Sequence, residues 1–139
     1  MLAEIFARQL ELQTGSMGID PRSVMGAQRY IYLLNNFEGI ADELAEARAE
    51  TNWKMWTHGV ELGTFHDRDA FVKELVDLLH FLVNLLLLAD ASADEVYNRY
   101  MAKAAVNARR QDEAYDGRST KDATGRATDE PDIDREEES

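Results

Sequence analysis

The sequence predicts a small all-α protein, built as a bundle of four to five helices. Only two prolines occur in 139 residues, so few positions interrupt a long helix. Apolar residues recur at the three-and-four spacing of a helix and do not alternate as they would in a strand. The chain is long enough for one domain with a hydrophobic core and too short for two.

Composition limits the class of protein and its partners. The lack of cysteine excludes a disulfide scaffold, a zinc–thiolate site and a thiol nucleophile, and it is typical of a cytoplasmic protein, in the host cytoplasm if the chain is viral. A net charge of −12 argues against nucleic acid as a partner, whereas a nucleotide remains possible because bound divalent metals reverse the local charge. The apolar run 75–89 is too short and too polar for a membrane span, and the N-terminus does not resemble a signal peptide.

The first half of the chain predicts two helices. Apolar spacing indicates a first helix over residues 2–14, ending near Gly15. Gly18 and Pro21 then favour a loop. A second helix is predicted over residues 24–51, with a bend expected at Asn35–Asn36 or at Gly39.

The second half predicts two more helices and a tail. Residues 57–68 are typical of a loop, after which Asp69 is expected to cap a third helix that ends near Ala89. A short connection leads into a fourth helix over residues 95–115. Residues 116–139 are polar and acidic, so we expect a flexible tail that is a candidate to fold over bound substrate. The predicted organisation is therefore one domain, residues 1–115, followed by the tail.

The third helix is apolar on nearly every side, which predicts burial on nearly every side. Five side chains that carry polar or aromatic groups nevertheless share one arc of about 120°, at about 100° per residue. Acids on such a helix cost several kcal/mol each unless something compensates their burial. The arc consists of Glu74, Asp77, His80, Phe81 and Asn84.

The second helix offers a matching acidic face, with Glu43, Glu46 and Glu50 at positions i, i+3 and i+7. If the two helices pack antiparallel, their acids meet, and like charges about 5 Å apart repel by about 3 kcal/mol at an effective dielectric near 20. A cation would relieve this repulsion. Oxygen ligands alone favour Mg²⁺, Mn²⁺ or Ca²⁺ over zinc.

Two other interpretations of these acids are a solvated helix face and a di-iron site. Acids at helical spacing are commonly a solvated face, but the acids of the third helix interrupt a leucine-rich run. A di-iron bundle requires two Glu-x-x-His pairs, and the chain offers only the imperfect pair of Asp77 and His80. His58 and His66 fall in the predicted loop, so di-iron is rejected.

An ordered set of motifs resembles the all-α, dimeric dUTPase branch of the MazG-like nucleotide pyrophosphohydrolases. That family shows E-x-x-E, then W-K-x-W, then E-x-x-D-x-x-H-F, as in 43–46, 53–56 and 74–81 here. Residues 100–115 resemble its Y-x-x-K-N-x-x-N-x-x-R-Q-x-x-G-Y, although Ala104 and Ala114 replace the asparagine and the glycine. The match covers about residues 5–117, and the compact form resembles versions carried by bacteriophages.

The resemblance implies a role for each matching residue. The implied metal ligands are Glu43, Glu46, Glu74 and Asp77. The implied phosphate-binding residues are Lys103, Asn107, Arg110 and Lys54. The implied base- and sugar-binding residues are Gln9, Gln13, Trp53, Phe81, Asn84 and Tyr115.

The expected reaction is hydrolysis of dUTP to dUMP and diphosphate, with two or more Mg²⁺ ions per site, replaceable by Mn²⁺. Glu46, placed mid-cluster, is the expected general base. A homodimer or a dimer of dimers is expected to bury the third helix. Two alternatives stay open: the same chemistry on dCTP or a purine deoxynucleotide such as dGTP, and a non-enzymatic acidic helical module that binds a basic partner.

Overall fold

The computed structural model describes residues 1–112 and is all-α, which confirms the predicted fold class. Its α-helices are α1 (Leu2–Glu11), α2 (Gly26–Ala49), α3 (Arg68–Leu88) and α4 (Ala93–Asp112). Leu12–Ser16 continues α1 as a π-helical turn. Over the described residues the β pairing is limited to an isolated bridge between Thr51 and Phe65, and none of the helices is long and apolar enough to cross a membrane.

The chain divides into two compact units, residues 1–92 and the residues from 93 onward. The first unit holds α1, α2 and α3, and α4 is the described part of the second. The predicted tail lies outside the described residues, so the domain boundary after residue 115 stays a prediction. The packing described below concerns the first unit alone.

Helices α2 and α3 pack antiparallel, and α1 packs on α3. Residues with increasing numbers along α2 contact residues with decreasing numbers along α3, which shows that the two helices run in opposite directions. The pairs are Arg29 with Leu88, Asn36 with Asn84, Gly39 with Phe81 and Glu43 with Asp77. This arrangement is the one that the acidic faces of the two helices required.

Gly39 allows the closest of these approaches. A Cβ atom at this position would lie 2.6 Å from the Phe81 ring, well inside van der Waals contact. The glycine therefore seats the ring directly on the α2 backbone. Helix α2 runs through Asn36 and Gly39 as one α-helix, where the sequence suggested a bend.

The predicted helix boundaries differ from the structure at several ends. Helix α2 is two residues shorter at each end than predicted, and α4 begins two residues earlier. The differences at α3 and α1 have a clear physical reason. The cap of α3 is Asp67, because its Oδ1 accepts from the backbone N–H of Asp69 at 2.9 Å and of Ala70 at 3.0 Å. The prediction that Asp69 is the cap was wrong, and Asp69 lies in the first turn. The helical path of α1 also extends beyond Gly15, to Ser16, because the π turn continues it.

Helix α3 is less covered than its sequence predicted. Five of its apolar side chains are each more than one third exposed in the part of the chain that the structure describes. They are Val72, Leu75, Val76, Leu79 and Leu82, with exposed fractions of 41, 38, 47, 37 and 41%. The expectation of burial on nearly every side is therefore not met within one copy, over residues 1–112.

Candidate functional site

The antiparallel packing of α2 and α3 brings three predicted metal ligands together. Glu43 and Glu46 on α2 and Glu74 on α3 each offer a carboxylate oxygen, and these oxygens all lie within 4.8 Å of one another. We call these three residues and Asp77 the carboxylate cluster. Neither helix alone could form this cluster, since Glu43 and Glu46 lie on α2 and Glu74 lies on α3.

Asp77 stands one turn from Glu74 and is tied to it through Lys73. The Lys73 Nζ lies 3.1 Å from Glu74 Oε1 and 3.2 Å from Asp77 Oδ2. The Lys73 ammonium group therefore lies between two carboxylates, at a position where a metal cation would also be stabilised. Its side chain is 68% exposed, so water screens much of this attraction.

The crowding of the acids changes the protonation of Glu43. Partial burial raises the pKa of this carboxyl group, and the negative charges of Glu46, Asp77 and Glu74 raise it further. Each of these causes disfavours the ionised form. A divalent cation would act in the opposite sense. The donor set, three carboxylates within 4.8 Å of one another with Asp77 nearby, therefore fits a hard metal ion such as Mg²⁺ or Mn²⁺.

A cavity of about 340 Å³ opens beside this cluster. Its carboxylate end is formed by Glu43 and Asp77, and its amide end by Gln9, Gln13 and Asn84. Leu12, Met17, His80 and Phe81 complete the wall. The structure thus brings four of the predicted base- and sugar-binding residues to the same cavity as two predicted metal ligands.

The side chains of the amide end hydrogen-bond to one another and to α2. Gln9 Nε2 donates to Asn84 Oδ1 at 2.7 Å, and Asn84 Nδ2 donates to Asn36 Oδ1 at 2.8 Å. Asn36 Nδ2 in turn donates to the backbone carbonyl of Tyr32 at 2.7 Å. We call this chain of bonds the amide relay. Its side chains are 3 to 6% exposed, so it is a buried polar network that joins three helices.

Three residues of this region, Tyr32, Asn36 and His80, were not among the predicted site residues. His80 Nδ1 lies 2.6 Å from Gln9 Oε1, and the Tyr32 hydroxyl donates to Gln13 Oε1 at 2.9 Å. Tyr32 and Asn36 precede Glu43 on one face of α2, at positions i, i+4 and i+11. This helical spacing of polar side chains is the sequence feature that could have identified Tyr32 and Asn36 as site residues.

Trp53 and Lys54 lie elsewhere, in the loop after α2. They line a separate cavity of about 430 Å³ together with Arg48 and His66. The Arg48 guanidinium carbon is 4.6 Å from the centre of the Trp53 ring, and Lys54 Nζ is 5.9 Å from it. On α2 this cavity borders Ala45, Arg48 and Ala49. The structure does not bring these two residues to the amide end, and their roles stay predictions.

The remaining predicted residues belong to the second unit. Lys103, Asn107 and Arg110 follow one another at i, i+4 and i+7 on α4, so they share one helix face. Tyr115 lies outside the described residues. The roles of all four stay predictions.

A family model described as dUTPase matches residues 1–93. The matched range holds the carboxylate cluster, the amide relay and the loop with Trp53, and it ends at the first residue of α4. Searches of curated proteins and of solved structures give no significant match. Since the family model covers more than half of the chain and the fold is helical, this protein belongs to the all-α dUTPase family and is a nucleotide diphosphatase.

Proposed function

We propose that the protein hydrolyses dUTP to dUMP and diphosphate in a Mg²⁺-dependent reaction at the cavity between α1, α2 and α3. The observation that carries this proposal is the cavity itself, which has buried amides at one end and carboxylates at the other. A nucleotide has the matching polarity, with a hydrogen-bonding base at one end and an anionic triphosphate that travels with divalent cations at the other. Family membership supports the same substrate.

The carboxylate cluster is the proposed metal site, with two or more Mg²⁺ ions, or Mn²⁺ in their place. Bound there, the metal would neutralise charge on the triphosphate and lower the pKa of a water molecule. Glu46 is the most exposed acid of the close trio and is the proposed general base that accepts the proton of that water. Glu43, Glu74 and Asp77 hold the cluster in place from both helices.

The amide end is the proposed base and sugar site. Gln9 and Gln13 supply amide groups for the base edge, Asn84 faces the sugar, and the Phe81 ring, seated on Gly39, offers an aromatic surface. Trp53 and Tyr115 are proposed to enclose the base further. Lys54, Lys103, Asn107 and Arg110 are proposed to bind the phosphates, on the strength of the motif spacing and the affinity of cationic side chains for phosphate.

The uncovered apolar side of α3 supports a homodimer or a dimer of dimers. An apolar helix face of this kind is stabilised when a second copy covers it. We place the enzyme in the cytoplasm, where its nucleotide substrate occurs, and we propose neither nucleic acid nor membrane as a partner.

A panel of dUTP, dCTP, dGTP and dTTP, incubated with Mg²⁺, tests the substrate. Chromatography should identify dUMP and diphosphate as the products, with dUTP the best substrate by kcat/KM. Chelation with EDTA should abolish turnover, and added Mg²⁺ should restore it. Faster turnover of dCTP or dGTP would move the proposal to that rival substrate. Release of monophosphate in place of diphosphate would overturn the reaction type.

A further inference from the structure

The direction of every hydrogen bond in the amide relay is fixed by one backbone atom. The Tyr32 carbonyl only accepts, so the Asn36 amide must point its N–H group there and its oxygen toward Asn84. Asn84 must then donate to Asn36 and present its own oxygen to Gln9. No amide in this chain turns over without breaking the next bond.

The relay also sets the tautomer of the His80 ring, which contacts Gln9. Gln9 uses its N–H group on Asn84, so its carbonyl oxygen faces His80. A carbonyl only accepts, so the hydrogen lies on His80 Nδ1 and the other ring nitrogen is left as an acceptor in the neutral ring.

The side chain of the same tyrosine fixes a second amide. The Tyr32 hydroxyl donates to Gln13 Oε1, which leaves the Gln13 N–H group as the free end of that amide. Burial raises the pKa of Tyr32 to about 12, so the hydroxyl keeps its proton at neutral pH. Turning the amide over would deprive the buried hydroxyl of the acceptor that it has at 2.9 Å. The other side-chain partner of the hydroxyl, Asn36, lowers the pKa of Tyr32 and therefore acts as a donor toward it.

Gln13 is 7% exposed and lines the cavity, and its Nε2 has no hydrogen-bond partner among the described residues. A buried donor of this kind calls for an acceptor on the ligand. Gln13 is held by Tyr32, which lies about three turns before Glu43 on α2, so Gln13 belongs to the end of the cavity away from the carboxylates. In a pyrimidine nucleotide the ring atom opposite the sugar is C4, so the substituent on C4 is the group that reaches deepest.

We propose that Tyr32 is a positioning residue for base selection. Its hydroxyl holds the Gln13 amide with the N–H group toward the cavity. This N–H group can donate a hydrogen bond to a carbonyl oxygen at C4, and it cannot pair with an amino group there, which is also a donor. Uracil carries the carbonyl and cytosine carries the amino group, so the pair of residues selects dUTP over dCTP. The inference rests on the proposed function and adds the residue that sets its specificity.

Tyr32→Phe is the direct test, because it removes the hydroxyl and keeps the ring. The Gln13 amide is then free to turn and offer its carbonyl to an amino group. The ratio of kcat/KM for dUTP to that for dCTP should fall roughly tenfold, mainly through KM. Tyr30→Phe is the matched control, since Tyr30 is on the same helix and 65% exposed, and it should leave the ratio unchanged. A purely structural role for Tyr32 would lower both rates together.

Gln13→Glu is the second variant and keeps the acceptor for Tyr32. It replaces the free N–H group with an oxygen, so the preference should turn toward dCTP. Calorimetric titration with dUMP and dCMP measures the same selectivity without turnover. An unchanged ratio in Tyr32→Phe, or in Gln13→Glu should the first variant not fold, overturns the inference. If the unaltered protein hydrolyses neither pyrimidine nucleotide, the proposed function has failed; if it prefers dUTP and the variants keep that preference, only the role of Tyr32 has failed.

Discussion

The two ends of the cavity differ in how their polar groups are satisfied before any ligand binds. At the amide end, Gln9, Asn84 and Asn36 are buried and hydrogen-bonded to one another. At the carboxylate end, like charges lie side by side, and the pKa of Glu43 is raised by partial burial and by its acidic neighbours. The amide relay is therefore organised in advance, with the Gln13 N–H group left for a ligand, whereas the acids of the carboxylate end lie together against electrostatic repulsion.

This difference indicates that the amide end mainly stabilises the fold and that the carboxylate end mainly carries the chemistry. A fully satisfied buried network fixes helix register, and its loss leaves unpaired polar groups in the core. Clustered acids oppose folding and are retained where a cation compensates them. Substitutions at the two ends should therefore have opposite effects on stability, and only those at the carboxylate end should remove turnover while the fold is kept.

The largest effect is expected from Asp77→Asn at the carboxylate end. The variant keeps the shape of the side chain and removes one negative charge from the cluster, so kcat/KM for dUTP should fall by at least about a hundredfold. Asp69→Asn is the matched control, because Asp69 is an exposed acid on the same helix, and it should retain full activity. Diphosphate release measures both variants. Full activity in Asp77→Asn would remove this residue from the metal site.

Asn36→Ala should remove two hydrogen bonds of the amide relay and so destabilise the fold. Asn84 would lose the acceptor for its N–H group inside the core, and a small cavity would form, so the free energy of unfolding should drop by about 2–4 kcal/mol. Urea unfolding followed by circular dichroism measures the change. The neighbouring Asn35→Ala, at an exposed position on the same helix, should change it by less than about 0.5 kcal/mol. Equal losses in the two variants would show that the relay does not stabilise the fold.

The sequence predicted the helices and the meeting of two acidic faces, because both follow from periodicity along single helices. The spacing of Glu43 and Glu46, with Glu74 on the next helix, required only that the two helices pack antiparallel. Details decided by tertiary contacts were not predictable. Asp67 and Asp69 are equivalent in the pattern, and the choice of cap depends on which carboxylate reaches the free N–H groups.

The placement of the loop and of the relay was beyond the sequence for a similar reason. The motif groups Trp53 with the site residues, but a loop residue is positioned by its own turns and by Arg48, on which its ring packs. Asn36 resembled a position where α2 would bend, and its buried bonds to α3 become visible only when that helix is in place.

Glu43→Gln should give the smallest change in stability of the three variants. The sign of this change, a gain where Asn36→Ala gives a loss, separates the two ends of the cavity most sharply. Because the folded-state pKa of Glu43 lies above the ordinary glutamate value of 4.5, the folded chain holds this proton more tightly than the unfolded chain does. Without metal, the stability of the unaltered protein should therefore fall as pH rises through the window above 4.5, whereas glutamine has no proton to lose. At pH 7.5 in EDTA the variant should melt about 1–2 °C higher, a small gain because solvent screens partly exposed charges. At pH 4 the two melting temperatures should converge, and added Mg²⁺ should raise that of the unaltered protein more than that of the variant. A variant that melts lower at pH 7.5 without metal would mean that Glu43 supports the fold, and the contrast between the two ends of the cavity would not hold.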